Sequence, residues 1–187
     1  QDRKFIFMQY LEPDYWDWKT DKTNLLNDWQ KNKVQIFQEI YQSVKDMKGF
    51  EEIALIIHDK DRKADDTLKA PHIHGYLSFK NVFDLERIAR RLGIAPQYVE
   101  TAKGGRHVEI NNKPYLIHAK HLDKFQYSPK EVETFETFDY LTYMSEHHDE
   151  IKKRAATVKR QDSDESLDYI LQKVQHGELF KRDLMID

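Results

Sequence analysis

Two histidines separated by one residue, His72 and His74, are the side chains in this sequence best placed to bind a metal ion. They lie in the segment PHIHGYLSF (71–79), whose aromatic and apolar residues predict a β-strand. Successive side chains of a strand point to opposite faces, so the two imidazoles share one face and Ile73 lies on the other. Two neighbouring imidazoles can hold one divalent metal ion. Alone the pair is a weak signal, because two surface or core-edge histidines give the same pattern.

A second group of polar residues follows the preceding apolar run, which predicts a buried strand over residues 52–58. This strand ends in the segment HDKD (58–61), and a hairpin into the next strand would bring His58 and Asp61 close to the histidine pair. The chain has no cysteine, so any metal must be held by His, Asp and Glu. Three nitrogens and one carboxylate suit Mn²⁺ or a similar metal and leave room for a substrate oxygen. An ordinary polar loop after a strand is the alternative.

A candidate nucleophile, Tyr115, lies in the segment PYLIH (114–118) of a helix predicted over residues 108–119. A tyrosine oxygen can attack a phosphodiester whose phosphate is polarised by a metal. His118 lies one helical turn further along and is expected to contact the same substrate. No second tyrosine lies one turn from Tyr115. Because the chain has ten tyrosines, a structural aromatic packed on the sheet is the alternative.

The elements that must position these groups alternate between strands and helices. The order predicts an α+β fold with a mainly antiparallel sheet and flanking helices. The predicted strands cover residues 4–10, 52–58, 72–79, 98–101 and 125–128, and the predicted helices run from an N-cap at Thr23 to residue 47, over 81–92 and over 108–119.

After residue 130 the composition changes to helix-forming residues. We expect a helix over 140–158, a polar break over 159–164 and two short helices after it. The sequence therefore predicts a domain over 1–130 and a small helical C-terminal segment over 131–187. Oligomerisation is the expected role of this segment.

If the chain binds DNA, the charge distribution favours the middle of the chain as the part that faces it; chance clustering of charges is the alternative. The whole chain has a formal net charge of −3, but residues 58–130 contain fourteen Lys and Arg against nine Asp and Glu. Solvated surface charge is the alternative for each residue. Tyr15, Trp16 and Trp18 are expected either to stack on unpaired bases or to anchor the core. The predicted DNA contacts are Arg87, Arg90, Arg91, Lys113 and His118.

Three segments together resemble the HUH endonuclease superfamily, and most closely its single-tyrosine rolling-circle plasmid replication initiators. They are IIHDKD (56–61), APHIHGYLSF (70–79) and YLIHAKHLDKFQY (115–127). Each motif alone is modest, but the set in this order and spacing is specific. The resemblance covers residues 4–130.

The resemblance implies a complete mechanism. His58, Asp61, His72 and His74 would be the metal ligands, for Mn²⁺ first and Mg²⁺ as the alternative, and Tyr115 would be the nucleophile. Transesterification of single-stranded or cruciform origin DNA would leave a 5′-phosphotyrosyl link and a free 3′-OH. A host polymerase would extend that primer and a host helicase would unwind the duplex. A homo-oligomer in the bacterial cytoplasm, with no membrane association, is expected.

Three other classes of protein remain compatible with the sequence. A relaxase or transposase would have the same core. A non-catalytic DNA-binding module would use the same histidines for a structural metal. A metal hydrolase of a small phosphoester would leave Tyr115 with a purely structural role. The absence of a fourth histidine or a thiolate that would close the site favours catalysis.

Overall fold

In the computed structural model, which describes residues 1–157, an antiparallel sheet is covered by helices on both faces. The predicted α+β class is confirmed. Five strands form the sheet in the order β4-β1-β3-β2-β5. They are β1 (Asp2–Tyr10), β2 (Phe50–His58), β3 (His72–Phe83), β4 (Val99–Thr101) and β5 (Glu133–Thr134). The helices are α1 (Lys22–Asn27), α2 (Trp29–Val44), α3 (Leu85–Leu92), α4 (Val108–Asn112) and α5 (Tyr140–Glu146).

Helices α2 and α3 cover one face of the sheet. Alternate residues of the central strands point towards them, for example Phe5 of β1, Leu55 of β2 and Leu77 of β3, each fully buried. Ile40 of α2 and Ile88 of α3 are equally buried against this face. Removing side chains of this size from water contributes roughly 1.5–3 kcal/mol each, so this layer is the main hydrophobic core.

The opposite face of the sheet has a smaller apolar cluster. Ile56 and Tyr76 from the strands pack there against Leu116, Tyr127 and Tyr140 from the C-terminal half. The covering segments are short, which leaves one end of this face open. The histidines of β3 lie on this face.

Two predicted helices differ from the observed ones at their starts. The stretch predicted to begin with an N-cap at Thr23 is two helices, and the cap is Asp21, whose carboxylate accepts a hydrogen bond from the Thr23 backbone N–H. The helix predicted over 81–92 begins at Leu85, because β3 continues to Phe83 and pairs there with Asp2. Pairing of β3 with β1, which is distant in the sequence, overrides the local capping signal at residue 81.

The prediction of a single helix over 108–119 is wrong. Helix α4 ends at Asn112, and a separate 3₁₀ helix, Pro114–Ile117, follows it. Pro114 has no backbone N–H to donate, and His118 takes a left-handed conformation with φ of 60° that ends the turn. The strand predicted over 125–128 is also absent from the described residues, since Tyr127 makes an isolated backbone hydrogen bond to Ile117 instead.

The first described residues beyond 130 are packed on the sheet. Strand β5 pairs with β2, and Tyr140 of α5 is buried in the smaller apolar cluster. The predicted long helix is interrupted at His147, and residues 148–157 are helical again. The polar break over 159–164 and the two short helices lie outside the described residues, and the oligomerisation role stays a prediction. None of the described helices combines the length and the apolar character that crossing a membrane requires.

Candidate active site

The pairing of β2 with β3 brings the three histidines together. His58 lies directly opposite His72, and Ile56 lies opposite His74. Residues two apart on a strand share a face, so all three imidazoles lie on the open face of the sheet. The centroid of the His74 ring is 4.3 Å from that of His58 and 5.1 Å from that of His72.

The loop between β2 and β3 places Asp61 beside the three histidines. The Lys69 backbone N–H donates to the Asp61 carbonyl at 2.8 Å, and Arg62 forms an antiparallel bridge with Leu68. The Asp61 carboxylate oxygen Oδ2 is then 3.4 Å from His58 Nδ1 and 3.2 Å from His72 Nε2. The hairpin expected from the sequence therefore has the geometry needed to join the two motifs.

Backbone carbonyls orient two of the imidazoles. His72 Nδ1 donates to the Ala70 carbonyl at 2.8 Å, and its Nε2 faces Asp61 Oδ2 at 3.2 Å. His58 Nε2 donates to the Leu116 carbonyl at 2.6 Å, which leaves the His58 Nδ1 lone pair on the inner side. A hydrogen bond to the distal nitrogen is how proteins fix the tautomer of a metal-binding histidine.

The residues present fit a divalent metal ion. One donor atom from each of His58, Asp61, His72 and His74 lies within 4.8 Å of the others. His58 Nδ1 is fully buried and has no hydrogen-bond partner among the described groups. A buried polar atom without a partner costs free energy, and a metal ion would satisfy it. Nitrogen and carboxylate donors without thiolate suit Mn²⁺ or a similar metal.

The local electrostatics favour the ligand forms of these side chains. Burial works to raise the pKa of Asp61, but the neighbouring His58 and His72 rings and the Tyr127 hydroxyl outweigh it and hold that pKa well below its usual range. Burial, together with the nearby His58 and His72, lowers the pKa of His74 well below its usual value. A carboxylate and a neutral imidazole are the forms that bind metal.

Tyr115 lies beside the cluster, in the 3₁₀ helix that follows α4. Its ring centroid is 6.2 Å from that of His74, 5.5 Å from His118 and 5.2 Å from His121. Lys124 Nζ donates to the Tyr115 hydroxyl at 3.3 Å. A tyrosine ring beside a candidate metal-binding cluster is an arrangement suited to attack on a metal-bound phosphate.

Comparisons with known proteins place the chain in a family. The sequence model of the family described as "Plasmid replication protein, origin binding domain" matches residues 29–141. The chain belongs to this family. The kinship with plasmid replication initiators that the three motifs predicted is thereby confirmed.

Two curated proteins illustrate the family. Over 144 residues the chain is 33% identical to a "Replication protein" of Onion yellows phytoplasma (strain OY-M), an alignment covering 71% of this chain and 34% of that protein. Over 107 residues it is 32% identical to "Replication protein RepB" of Lactiplantibacillus plantarum, covering 54% of this chain and 46% of that protein. The chain thus spans less than half the length of these relatives.

Tyr127 is a site residue that the sequence reasoning did not single out. Its hydroxyl donates to Asp61 Oδ1 at 2.7 Å, and its ring stacks on His58 with centroids 4.3 Å apart and planes within 9°. It also accepts the Lys60 backbone N–H at 3.0 Å. The only signal was its place at the end of the YLIHAKHLDKFQY segment, which does not reveal its contacts.

His118, predicted to contact DNA, lies in the wall of the site and is almost fully buried. Its Nδ1 donates to the Phe125 carbonyl at 2.9 Å and lies 4.0 Å from Asp61 Oδ1. Burial lowers its pKa, so the neutral ring is favoured. The hydrogen bond to Phe125 holds the chain segment between Tyr115 and Tyr127 in place. A contact of His118 with DNA stays a prediction.

A cavity of about 1170 Å³ opens in front of the metal-ligand atoms and Tyr115. A second cavity of about 430 Å³ lies on the other side of the Tyr115 ring, and its lining includes Tyr98, Glu100 and Asn112. Basic side chains from the loop after β2 and from the loop after Tyr115 line the larger cavity. They are Lys60, Arg62, Lys63, Lys69 and Lys124.

The arginines predicted to contact DNA lie elsewhere. Helix α3 packs on the opposite face of the sheet, so Arg87, Arg90 and Arg91 are remote from the metal-ligand atoms. Arg87 lies over the Phe83 ring, and Arg91 pairs with Asp46. A helix that follows a strand can cross to either face, and local sequence does not decide which.

Lys113 is also unavailable to a phosphate. Its side chain is 3% exposed and its Nζ pairs with Glu109 at 2.9 Å and Glu52 at 3.1 Å. The same Nζ lies 4.4 Å from the Phe138 ring centroid and 4.6 Å from that of Tyr143. Lys113 therefore links Glu52 of β2 with Phe138 and with Tyr143 of α5.

The aromatic residues near the N-terminus divide between the two expected roles. Trp16 is 1% exposed and its Nε1 donates to the Tyr10 carbonyl, and Trp18 Nε1 donates to the Leu92 carbonyl. Both tryptophans are anchors of the core. Tyr15 is exposed and lines the larger cavity, so base stacking stays a prediction for this residue.

Proposed function

We propose that this domain nicks and rejoins single-stranded DNA at a plasmid replication origin, with Tyr115 as the nucleophile. The observation that carries the proposal is the Tyr115 ring beside a four-residue cluster with metal-ligand geometry, at the mouth of a partly basic cavity. Membership in a family of origin-binding plasmid replication proteins makes origin DNA the substrate of choice.

The proposed step is a transesterification. The Tyr115 oxygen forms a bond to phosphorus while the bond from phosphorus to the 3′ oxygen breaks. The phenol proton is lost, and the departing 3′ oxygen gains a proton to become a free 3′-OH. The fragment on the 3′ side of the nick stays attached to Tyr115 through its 5′ phosphate, as a phosphotyrosine. Since one phosphodiester replaces another, attack by a 3′-OH can rejoin the strand.

His58, Asp61, His72 and His74 would hold the metal, with Mn²⁺ preferred and Mg²⁺ as the alternative. When bound, the metal supplies charge that polarises the scissile phosphate. Tyr127 holds the Asp61 carboxylate in position, and the Ala70 and Leu116 carbonyls hold the imidazoles. The chain itself thus supplies a preformed ligand set.

The substrate is proposed to enter as a single strand, either from a cruciform or from duplex that has opened. The larger cavity lies along the basic side chains Lys60, Arg62 and Lys63, which suit a phosphate backbone. The smaller cavity behind Tyr115 has room for a nucleotide next to the cleaved bond. By resemblance to plasmid initiators, we propose a host polymerase and helicase as later partners, in the bacterial cytoplasm.

The test mixes the protein with a 3′-labelled pool of single-stranded oligonucleotides and Mn²⁺, followed by a denaturing gel. We expect a labelled protein–DNA band that requires the metal and is lost in Tyr115→Phe. Tyr41→Phe is the matched control, because Tyr41 packs towards the opposite face and should leave the band intact.

Other results would point to other functions. DNA binding without any covalent band, in every metal tried, would contradict nicking and favour a binding module with a structural metal. A product that forms in Tyr115→Phe without a covalent band would indicate a hydrolase in which water attacks. Either result would remove Tyr115 from the mechanism.

A further inference from the structure

Lys124 makes two contacts with Tyr115 from a single ammonium group. Its Nζ donates to the Tyr115 hydroxyl at 3.3 Å and lies 5.2 Å from the centroid of the Tyr115 ring. We propose that Lys124 is a catalytic residue that stabilises the Tyr115 phenolate as it attacks and as it leaves. The inference rests on the proposed nicking function and extends it to a residue outside the metal site.

The loop that carries Lys124 is held in place by its own hydrogen bonds. The Gln126 side-chain amide Nε2 lies within hydrogen-bonding distance of three carbonyls, those of His118 and His121 at 3.0 Å and that of Lys124 at 2.9 Å. The Lys124 backbone N–H donates to the His121 carbonyl at 3.0 Å. Because the backbone is tied at these points, the ammonium group is presented to Tyr115 with a reduced entropic cost.

The chemistry at the Tyr115 oxygen requires a partner of this kind. Negative charge develops on the oxygen as the proton departs, and a charge-assisted hydrogen bond from an ammonium group is stronger than one from a neutral donor. Three imidazoles also face the ring, from His74 on β3 and from His118 and His121 on the following turn. The role proposed for Lys124 is to supply positive charge to the Tyr115 oxygen, not to take the phenol proton.

The proposal makes a kinetic prediction that simple DNA binding does not. The phenolate is the nucleophile in nicking and the leaving group in rejoining, so both steps pass through the same transition state. Loss of Lys124 should therefore slow both rates by a similar factor. A lysine that only binds a phosphate would change the affinity for DNA and leave the rates at saturation unaltered.

The experiment compares Lys124→Met and Lys124→Arg with the unaltered chain in single-turnover reactions at saturating oligonucleotide and Mn²⁺. Lys45→Met is the matched control, because Lys45 Nζ lies 5.9 Å from the Tyr41 ring centroid, outside the cavity. We expect Lys124→Met to lower the nicking and rejoining rates together by about 10- to 100-fold, Lys124→Arg to recover part of the loss and Lys45→Met to change neither rate. Thermal unfolding and oligonucleotide affinity are measured on each variant.

The possible results are distinguishable. Equal nicking rates in Lys124→Met and the unaltered chain, or a defect that disappears when the DNA concentration is raised, would overturn the inference while leaving the nicking function in place. A slowed nicking step with normal rejoining would overturn it too. If the unaltered chain forms no covalent band, the proposed function fails and this inference fails with it.

Discussion

At the scale of single residues, the candidate metal-binding side chains are held in place by neighbouring residues. Tyr127 both stacks on His58 and donates to Asp61, so one residue orients two of the four proposed ligands. Burial and the Asp61 carboxylate raise the pKa of the Tyr127 hydroxyl, which therefore stays protonated and able to donate. Outer partners of this kind fix ligand geometry and are energetically important in metal sites.

Replacing Tyr127 with Phe tests this role directly. The stacking on His58 should survive, while the hydrogen bond to Asp61 is lost, so we expect Mn²⁺ affinity to fall by about tenfold in calorimetric titration. Tyr143→Phe is the control, because Tyr143 packs against Lys113 and His147 and not against the proposed ligands. Equal affinities in the two variants would show that Asp61 needs no such support.

At the scale of elements, the end of α3 is fixed by a close contact with the N-terminal segment. Gly93 ends the helix with φ of 79°, and its carbonyl accepts the Asp17 backbone N–H at 2.7 Å. A Cβ at this position would lie 2.9 Å from both the Asp17 carbonyl oxygen and Trp18 Cδ1. Only glycine combines this backbone conformation with so close an approach.

Gly93→Ala should therefore destabilise the fold by about 2–3 kcal/mol, from left-handed strain and from overpacking. Gly105→Ala isolates the first contribution, because Gly105 has φ of 54° and no described atom within 4 Å of its added Cβ. We expect this second variant to cost only about 1 kcal/mol in the free energy of unfolding by urea. Equal losses in the two variants would contradict the packing argument.

At the scale of the whole molecule, the two faces of the sheet have different roles. The face under α2 and α3 is a continuous apolar core, and the other face carries the candidate metal-binding cluster, Tyr115 and the larger cavity. The exposed arginines of α3 and the exposed basic residues of the loop after β2 therefore lie on opposite sides. Only the second group is near the proposed path of the DNA.

Salt dependence of DNA binding distinguishes the two groups of charges. Replacing Lys63 and Lys69 with Ala should reduce the slope of log K against log salt concentration by about 1.4, or about 0.7 for each lost contact with a single strand. Replacing Arg87 and Arg90 with Ala removes the same charge from the opposite side and should leave the slope unchanged. Fluorescence titration of a labelled oligonucleotide over a range of salt would check this. The reverse result would restore α3 as the DNA-binding element.

Much of the chemistry could be predicted from short-range patterns. The alternation of a strand requires His72 and His74 to share a face, whatever the rest of the chain does. Because the two strands follow one another in the chain, a hairpin was the simplest way to bring Asp61 close to them. The helix over 108–119 was wrong because Pro114 and the left-handed His118 interrupt a pattern whose apolar spacing is helical.

The sequence by itself determined the candidate metal-binding residues, the common face of His72 and His74, the candidate nucleophile and the family. The tertiary structure decided which other groups contact them. Tyr127 donates to Asp61, and Lys124 donates to Tyr115. The basic loop after β2, and not α3, lines the larger cavity. The physical reason is the distance along the chain over which each interaction acts. Strand alternation is a local property of the backbone, whereas the face on which a helix packs and the partner that a loop residue meets depend on burial summed over the whole chain.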